Sequence, residues 1–452
     1  MFKNISKSKL FFAFISLLIT FFVWQQGLRD SLNRPSVSFD ISQKEKEIAE
    51  LALPAIPRNL KEIFVLNDSI DEINSALSDI PFDQLNERNK LIWIITSDLK
   101  EIKIENEYYD NFQDENYKLV VTDLKKKFLD NSYNFNSDLV NSFKDDKFLY
   151  HLLSKRFNFD ESSLITNSFS KRMFLKILAI RLIPILTIIL GSLLVLKTLW
   201  NVLTSRKIEW KEFKPLDLNL LDMVLLISGG FVVLGEVISP LFSITLVELI
   251  SQNLPYELTL SLKIFCGYLF MAIPPLLILY YQIKSFDEKY IFKKDYFQFN
   301  FLPIKNAIIP GLKGWLMTIP FVLLVSLIMN LIIDNQNGSN PLLEIVLNNN
   351  NYFSFILLFL TTTILAPLFE EIIFRGVLLP ILSRDFGVIV GITISAFIFA
   401  LAHLSIGEMP PLFVLGIGLG ITRLASGRLL SSVIMHSLWN GLTFLNLFLL
   451  RT

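Results

Sequence analysis

Cysteine is nearly absent from this chain. One residue, Cys266, stands in an apolar run among 452 residues, so neither an internal disulfide nor a thiolate zinc cluster can form. Histidine is almost as scarce, with only His151, His403 and His436. Any chemistry that needs imidazole must choose among these three. Net charge is missing as well: 42 basic residues balance 42 acidic ones. That removes bulk attraction to nucleic acid, and no nucleic-acid partner is expected. Glycine is absent between Gly27 and Gly191.

What the chain has in quantity is hydrocarbon. Hydrophobic residues make up 52% of it, with 40 phenylalanines and a mean hydropathy of +0.49. The total decides little, since soluble domains come close to it; the distribution decides. Apolar runs of about 18 residues or more recur after Phe174, each long enough to cross roughly 30 Å of hydrocarbon as a helix. Strands of a membrane barrel would alternate and be only about ten residues long. The expected fold class is therefore all-α: a polytopic transmembrane bundle of about 8–9 spans with a soluble, mostly helical N-terminal insert, and the lipid bilayer as its first partner.

The expected spans are Leu10–Trp24, Phe174–Trp200, Met223–Ile250, Leu258–Tyr281, Trp315–Ile333, Tyr352–Phe369 (extending towards Ile381), Val388–Leu404, Pro411–Leu424 and Leu429–Leu450. The first follows Lys3, Lys7 and Lys9 and lacks a small-x-small cleavage site, so residues 1–29 read as an uncleaved signal anchor. Residues 30–172 differ in kind. They are rich in Asp, Glu, Lys and Asn, with apolar residues at helical spacing over Ile41–Leu53 and Lys147–Leu153, and read as the soluble insert. His151 lies on one of these helices and reads as an ordinary structural histidine. Residues 173–334 read as additional membrane helices. Trp200 and Trp315 fall at span ends, where interfacial belts place tryptophan.

Lysine and arginine in short loops set orientation. Arg206, Lys207, Lys211 and Lys214 share one loop, Lys284, Lys289, Lys293, Lys294 and Lys305 another, with Arg384 and Arg428 in two more. These loops and the N-terminus are expected on the cytoplasmic side of a multi-pass protein. The loop Asp334–Asn351 has neither Lys nor Arg and is expected outside.

Charged side chains inside apolar spans are functional suspects by default. In Ala366-Pro-Leu-Phe-Glu-Glu-Ile-Ile-Phe-Arg-Gly376, Pro367 sets the start of a helical turn and Glu370 and Glu371 follow it. Glu371 and Arg375 are four apart and can pair, while Glu370, about 100° round the helix, is expected to face elsewhere and stay free to work. His403 ends the apolar run Phe397–His403. His436 and Asn440 are four apart and face one way. An isolated Glu–Arg pair is most often only helix support, and a lone histidine is usually structural. Here two of three histidines, a double Glu, an Arg and an Asn gather in the last spans, and groups so costly in hydrocarbon need one another. Glu236, inside Met223–Ile250, either lines a substrate path or marks a misplaced span boundary; the second reading is slightly preferred.

The segments Glu370-Glu371-Ile-Ile-Phe-Arg375, Phe399-Ala-Leu-Ala-His403 and His436-Ser-Leu-Trp-Asn440 resemble the CPBP family (CAAX protease and bacteriocin-processing, also called Abi) of intramembrane endopeptidases, whose pattern is EExxxR, FxxxH and HxxxN on successive helices. The likeness covers about Phe353 to Leu450. It implies that residues 335–452 form a peptidase core acting on a membrane-associated or lipidated peptide. By the same resemblance Glu370 activates water with help from His403, His436 and Asn440 stabilise the oxyanion, and Glu371 and Arg375 support the helix. No cofactor is favoured. A rival version makes His403, His436 and Glu370 zinc ligands, though their spacing differs from the compact H-E-x-x-H arrangement. From other classes, a non-catalytic scaffold or peptide-immunity factor would keep the site for binding, and a transporter would use interior charges as an ion path. No inverted repeat or paired broken helices supports the transporter. For Glu370 and His403 to meet, the first helix must run on, continuous or kinked at Pro367, from about Phe353 to Ile381.

Overall fold

A computed structural model describes residues 6–34, 37–57, 69–102, 104–109, 111–129, 137–158, 164–204, 210–211, 217–284, 302–332, 341–347, 349 and 351–451. The described residues are helical throughout, without strands. They divide into two compact units: residues 38–183 with 447–452, and residues 1–37 with 184–446. Much of the loop charge used for orientation, including Arg206, Lys207, Lys293 and Lys294, lies outside the described residues, as does half of Asp334–Asn351.

The smaller unit is built from amphipathic helices, chiefly Ser38–Ala52, Ser69–Ser78, Glu87–Leu99, Glu115–Leu129 and Lys147–Phe157. Their apolar faces meet in a core that includes Ile48, Leu51, Ile73, Leu91, Ile94 and Leu152. Polar side chains start two of the helices. Asn86 accepts from the Asn89 amide at 2.8 Å, and Asp146 from the Leu149 amide at 3.1 Å, each meeting a donor the helix cannot use itself. Asp146 also takes Arg88, whose guanidinium forks onto buried Glu47 at 2.7 and 2.9 Å. His151 is buried with Nε2 3.6 Å from Glu50 Oε1, beside Lys155. It is structural, as its place on a helix implied.

The apolar helices make up the larger unit, except that residues 167–183 of the second and 447–449 of the last fall in the smaller one. We number the long helices in chain order: α1 (Lys7–Leu32), α2 (Asn167–Leu203), α3 (Leu220–Ile250), α4 (Tyr256–Lys284), α5 (Lys305–Ile332), α6 (Tyr352–Phe386), α7 (Val388–Leu401), α8 (Met409–Ser426) and α9 (Leu429–Leu449). Helix α2 runs unbroken through residues 172–173, past which the sequence places the first span. Seven of the nine, all but α7 and α9, are long and apolar enough to cross a membrane. Helix α7 has 14 residues, about 21 Å at 1.5 Å per residue. In α9 the apolar run is interrupted by Ser431, Ser432, His436, Ser437 and Asn440, the residue types a polar site needs.

Three expectations about this unit change. Helix α5 starts ten residues before Trp315, which is buried in the core rather than at an interface. Glu236 does not mark a misplaced boundary: it lies well inside α3, in a wide π-helical stretch over Leu225–Ile238, and accepts from Trp24 Nε1 of α1 at 3.3 Å. Helix α6 is continuous from Tyr352 to Phe386, as the site required, but wide π-helical turns at Thr361–Leu365 and Ile372–Leu378 do what a proline kink was expected to do. Such turns recur at functional sites because they re-aim side chains within one helix. Between them sits the short α-helical piece Ala366–Glu371, carrying both glutamates.

Aromatic rings hold the helices around this piece. Phe231 of α3 packs against Phe369 and Phe374 of α6, Tyr268 of α4 edges onto Phe369, and Phe374 edges onto Phe399 of α7 at 5.5 Å between centroids. Helices α7 and α8 approach closely at Gly416, where an added Cβ would lie 2.9 Å from Ala396 Cβ.

Candidate active site

Four of the six expected residues converge directly. Glu371 and Arg375 pair across one turn of α6 at 2.8 Å, both 0% exposed. Taking two charges out of water costs several kcal/mol per ion unless every polar group is answered. Arg375 is answered three ways: by Glu371, by the Gly416 carbonyl at 3.2 Å, and by the face of Phe399, 4.2 Å from its guanidinium carbon. The glycine at 416 is what lets α8 bring that carbonyl close enough.

His436 of α9 enters between the two glutamates. Its Nδ1 is 2.9 Å from Glu371 Oε1, and its Nε2 is 3.8 Å from Glu370 Oε2. Beside a carboxylate, Nδ1 is the donor, which fixes the ring and leaves Nε2 turned to Glu370. As expected, Glu371 pairs with Arg375 and Glu370 turns to a different partner, but the two carboxylates also share one imidazole. Successive helix positions do diverge, but a long side chain lets each carboxylate reach a different nitrogen of one imidazole. Glu371 is more than helix support: it bridges Arg375 and His436.

Glu370 is held from outside the three motifs. Tyr268 of α4 donates its hydroxyl to Glu370 Oε1 at 2.5 Å. The other oxygen, Oε2, is buried with no hydrogen-bond partner among the described residues, and the side chain as a whole is 14% exposed. A buried, unanswered carboxylate oxygen is expensive, and it calls for a functional explanation.

His403 and Asn440 join at one remove. Among the described residues His403 makes no direct bond to Glu370. Its Nδ1 donates to the Phe399 carbonyl at 2.8 Å, and its ring edges onto Phe399 at 4.8 Å between centroids. Phe399 also edges onto His436 at 5.7 Å. One aromatic ring thus lies between the two imidazoles. Asn440 donates Nδ2 to the Thr362 carbonyl at 2.9 Å, in the first wide turn of α6, where the backbone ladder frees acceptors.

The zinc version can be set against this geometry. Among the described residues no three His, Cys, Asp or Glu side chains are grouped as a metal site needs. Phe399 lies between the two histidine rings, with its centroid 4.8 Å from that of His403 and 5.7 Å from that of His436.

Comparisons with known proteins cover part of the chain. A family model described as Type II CAAX prenyl endopeptidase Rce1-like matches residues 352–442, which include all six motif residues. The C-terminal segment matches the CAAX endopeptidases. The Rce1-like segment begins where α6 begins and ends within α9. Residues 38–175 match a second model, described as Domain of unknown function (DUF8675). The membrane-embedded CAAX protease MroQ of Staphylococcus aureus (strain USA300) is 30% identical over 146 residues, which is 30% of this chain and 57% of the relative. The chain thus spans little more than half of that relative's length. No solved structure matches.

Sequence reasoning missed Tyr268, Phe399 as a spacer, Gly416 and Thr362. Phe399 was visible inside FxxxH, but as a pattern letter rather than a wall between two histidines. Tyr268 had no local signal: it is a tyrosine in an apolar span, 102 positions from Glu370.

Proposed function

We propose that the protein is an intramembrane endopeptidase that hydrolyses peptide bonds of a membrane-associated protein or peptide, with Glu370 activating water. The observation that carries this reading is the unanswered Glu370 Oε2 facing His436 Nε2 at 3.8 Å. That separation is too long for a direct hydrogen bond and suits a bridging water about 2.8 Å from each atom. Water is a weak nucleophile near neutral pH, and a carboxylate with one oxygen fixed and one open is a suitable general base.

In this reading Tyr268 holds Oε1 so that Oε2 keeps its aim. Glu370 takes a proton from the water as its oxygen attacks the scissile carbonyl, then returns it to the leaving amine. His436, steadied by Glu371, supplies positive charge near the forming oxyanion when its Nε2 is protonated. Asn440 is one turn further along α9, with one amide hydrogen on Thr362 and a second for the same oxyanion. His403 uses Nδ1 for its backbone anchor and presents Nε2, which suits it to orient water or substrate. The Rce1-like match and the relative MroQ support peptide-bond chemistry of this class in a membrane.

The test is cleavage of a membrane-inserted reporter peptide by the full chain in bilayers. Glu370→Gln should lower kcat by about 10²–10⁴-fold, the range for loss of a positioned base, with little change in thermal stability. His403→Ala should fall in the same direction. Full activity in both variants would remove Glu370 and His403 from the mechanism, whereas no cleavage by the parent would sink the endopeptidase reading and favour a scaffold or immunity factor. Cleavage is expected to survive exhaustive chelation; loss that zinc restores would return the metal version.

A further inference from the structure

The residue after His403 is held in an unusual backbone conformation by a helix more than 350 positions away. Leu404 has φ +49°, in the left-handed region that L side chains adopt only when the surroundings hold them there. The chain leaves α7 in a tight turn, with the His403 amide on the Ala400 carbonyl and the Leu404 amide on the Leu401 carbonyl. Nothing within α7 requires a leucine to turn this way.

The last turns of α1 supply the constraint. Gly27 leaves a notch that the Leu404 side chain fills; a Cβ there would lie 2.7 Å from Leu404 Cδ1. Arg34, just beyond the end of α1, donates Nη2 to the Gly27 carbonyl at 3.4 Å and to the Leu404 carbonyl at 3.3 Å, tying helix end and turn together. Ser31, buried between them, donates to the Leu28 carbonyl at 2.7 Å and accepts from the Ile406 amide at 3.3 Å. Three α1-side residues therefore meet 404–406 by packing, by a guanidinium and by a hydroxyl. One turn earlier Trp24 anchors the same helix to Glu236 of α3.

We infer that α1 is a clamp on the His403 turn, with Arg34 as its principal positioning residue. This rests on the proposed role of His403 and extends the site beyond the Rce1-like segment, to the first helix of the chain. Arg34 touches no reacting atom. It fixes the Leu404 backbone, and the Leu404 backbone fixes where the His403 ring leaves α7. Without the clamp the turn relaxes to an ordinary right-handed end and the imidazole swings away. A helix that the sequence offers as a membrane anchor is thereby also a part of the site.

Two readouts on the full chain in detergent or bilayers test this. Amide hydrogen exchange over residues 402–408 should quicken about tenfold or more in the double variant Ser31→Ala/Arg34→Ala, while exchange in α6 stays as in the parent. With the membrane-inserted reporter peptide, kcat should fall about tenfold with KM nearly unchanged, because orientation rather than binding is lost. Arg34→Lys, which keeps one donor, should recover part of both effects. Gly27→Leu, which fills the notch from the helix side, should reproduce them without removing any hydrogen-bonding group. Unchanged exchange in both the double variant and Gly27→Leu would overturn the clamp. Faster exchange with unchanged kcat would overturn its role in placing His403. If the parent cleaved no reporter peptide, the endopeptidase reading would fall instead, and the exchange measurement would still decide whether α1 holds the turn.

Discussion

Each unit of this protein buries a histidine beside glutamates and cations, and the two clusters are finished differently. In the smaller unit Glu47 is met by Arg88 and Lys44, Asp146 by Arg88 and a helix-starting amide, and Glu50 by His151 and Lys155. The cations there reach partly into solvent, so the carboxylates are neutralised by groups that keep some hydration. In the larger unit Glu371 Oε1 takes both Arg375 and His436, while its Oε2 is buried without a hydrogen-bond partner among the described residues. Buried carboxylate oxygens without a hydrogen-bond partner among the described residues occur in both clusters, at Glu50 Oε2, Glu371 Oε2 and Glu370 Oε2. Glu370 differs in having no cation on either oxygen, only a neutral hydroxyl on one and His436 Nε2 at 3.8 Å from the other.

Removing the cation of the membrane cluster should do most damage. Arg375→Ala leaves Glu371 buried without its cation, at a cost of about 3–5 kcal/mol. Thermal unfolding of the membrane unit should shift down accordingly, with cleavage lost alongside. An Arg375→Ala protein as stable as the parent would show that the two clusters do not differ in the way described.

Tyr268→Phe is a smaller and sharper change. It keeps the ring against Phe369 and removes only the hydrogen bond to Glu370. Such a bond to a charged group is worth about 1.5–3 kcal/mol, so a kcat lowered about tenfold with KM held is expected. A KM effect alone would make Tyr268 a substrate contact rather than a holder of Glu370.

The smaller unit should answer to pH instead. Burial works to raise the carboxyls of Glu50 and Asp146. The hydrogen bond from His151 and the charge of Lys155 for Glu50, and Arg88 with the Leu149 amide for Asp146, outweigh it and hold both below their ordinary values of 4.5 and 3.8. Depressed folded-state values mean that this stability is present above those values and drains away as pH falls through and below them. Denaturation followed by a probe in residues 38–183 should therefore show stability falling on acidification below about pH 4.5, and less steeply in Arg88→Ala. The smallest expected effect is on cleavage by His151→Ala. It should stay within about twofold of the parent, because that histidine lies outside the proposed site.

Much of this was legible in the sequence, and the reason is periodicity. Apolar runs longer than a bilayer is thick, helical spacing in residues 30–172, and polar letters at i,i+4 on apolar helices are local properties. They located the spans, the insert and Glu370, Glu371, Arg375, His403, His436 and Asn440. They failed where one turn of a helix does not decide the outcome. Ten more residues of α5 moved Trp315 inside, and a π-helical α3 carried Glu236 to Trp24. Two adjacent glutamates met on one imidazole because α9 placed His436 between them. Tyr268 on Glu370, Phe399 between two histidines, and α1 on the His403 turn are contacts between helices far apart in the chain. No local pattern encodes them, since each depends on how rigid helices pack and on which oxygen packing leaves unanswered. The residue types of the cluster were written in the sequence; which carboxylate meets the arginine and which the tyrosine was decided only by the tertiary structure, because burial and partnership are properties of neighbours in space.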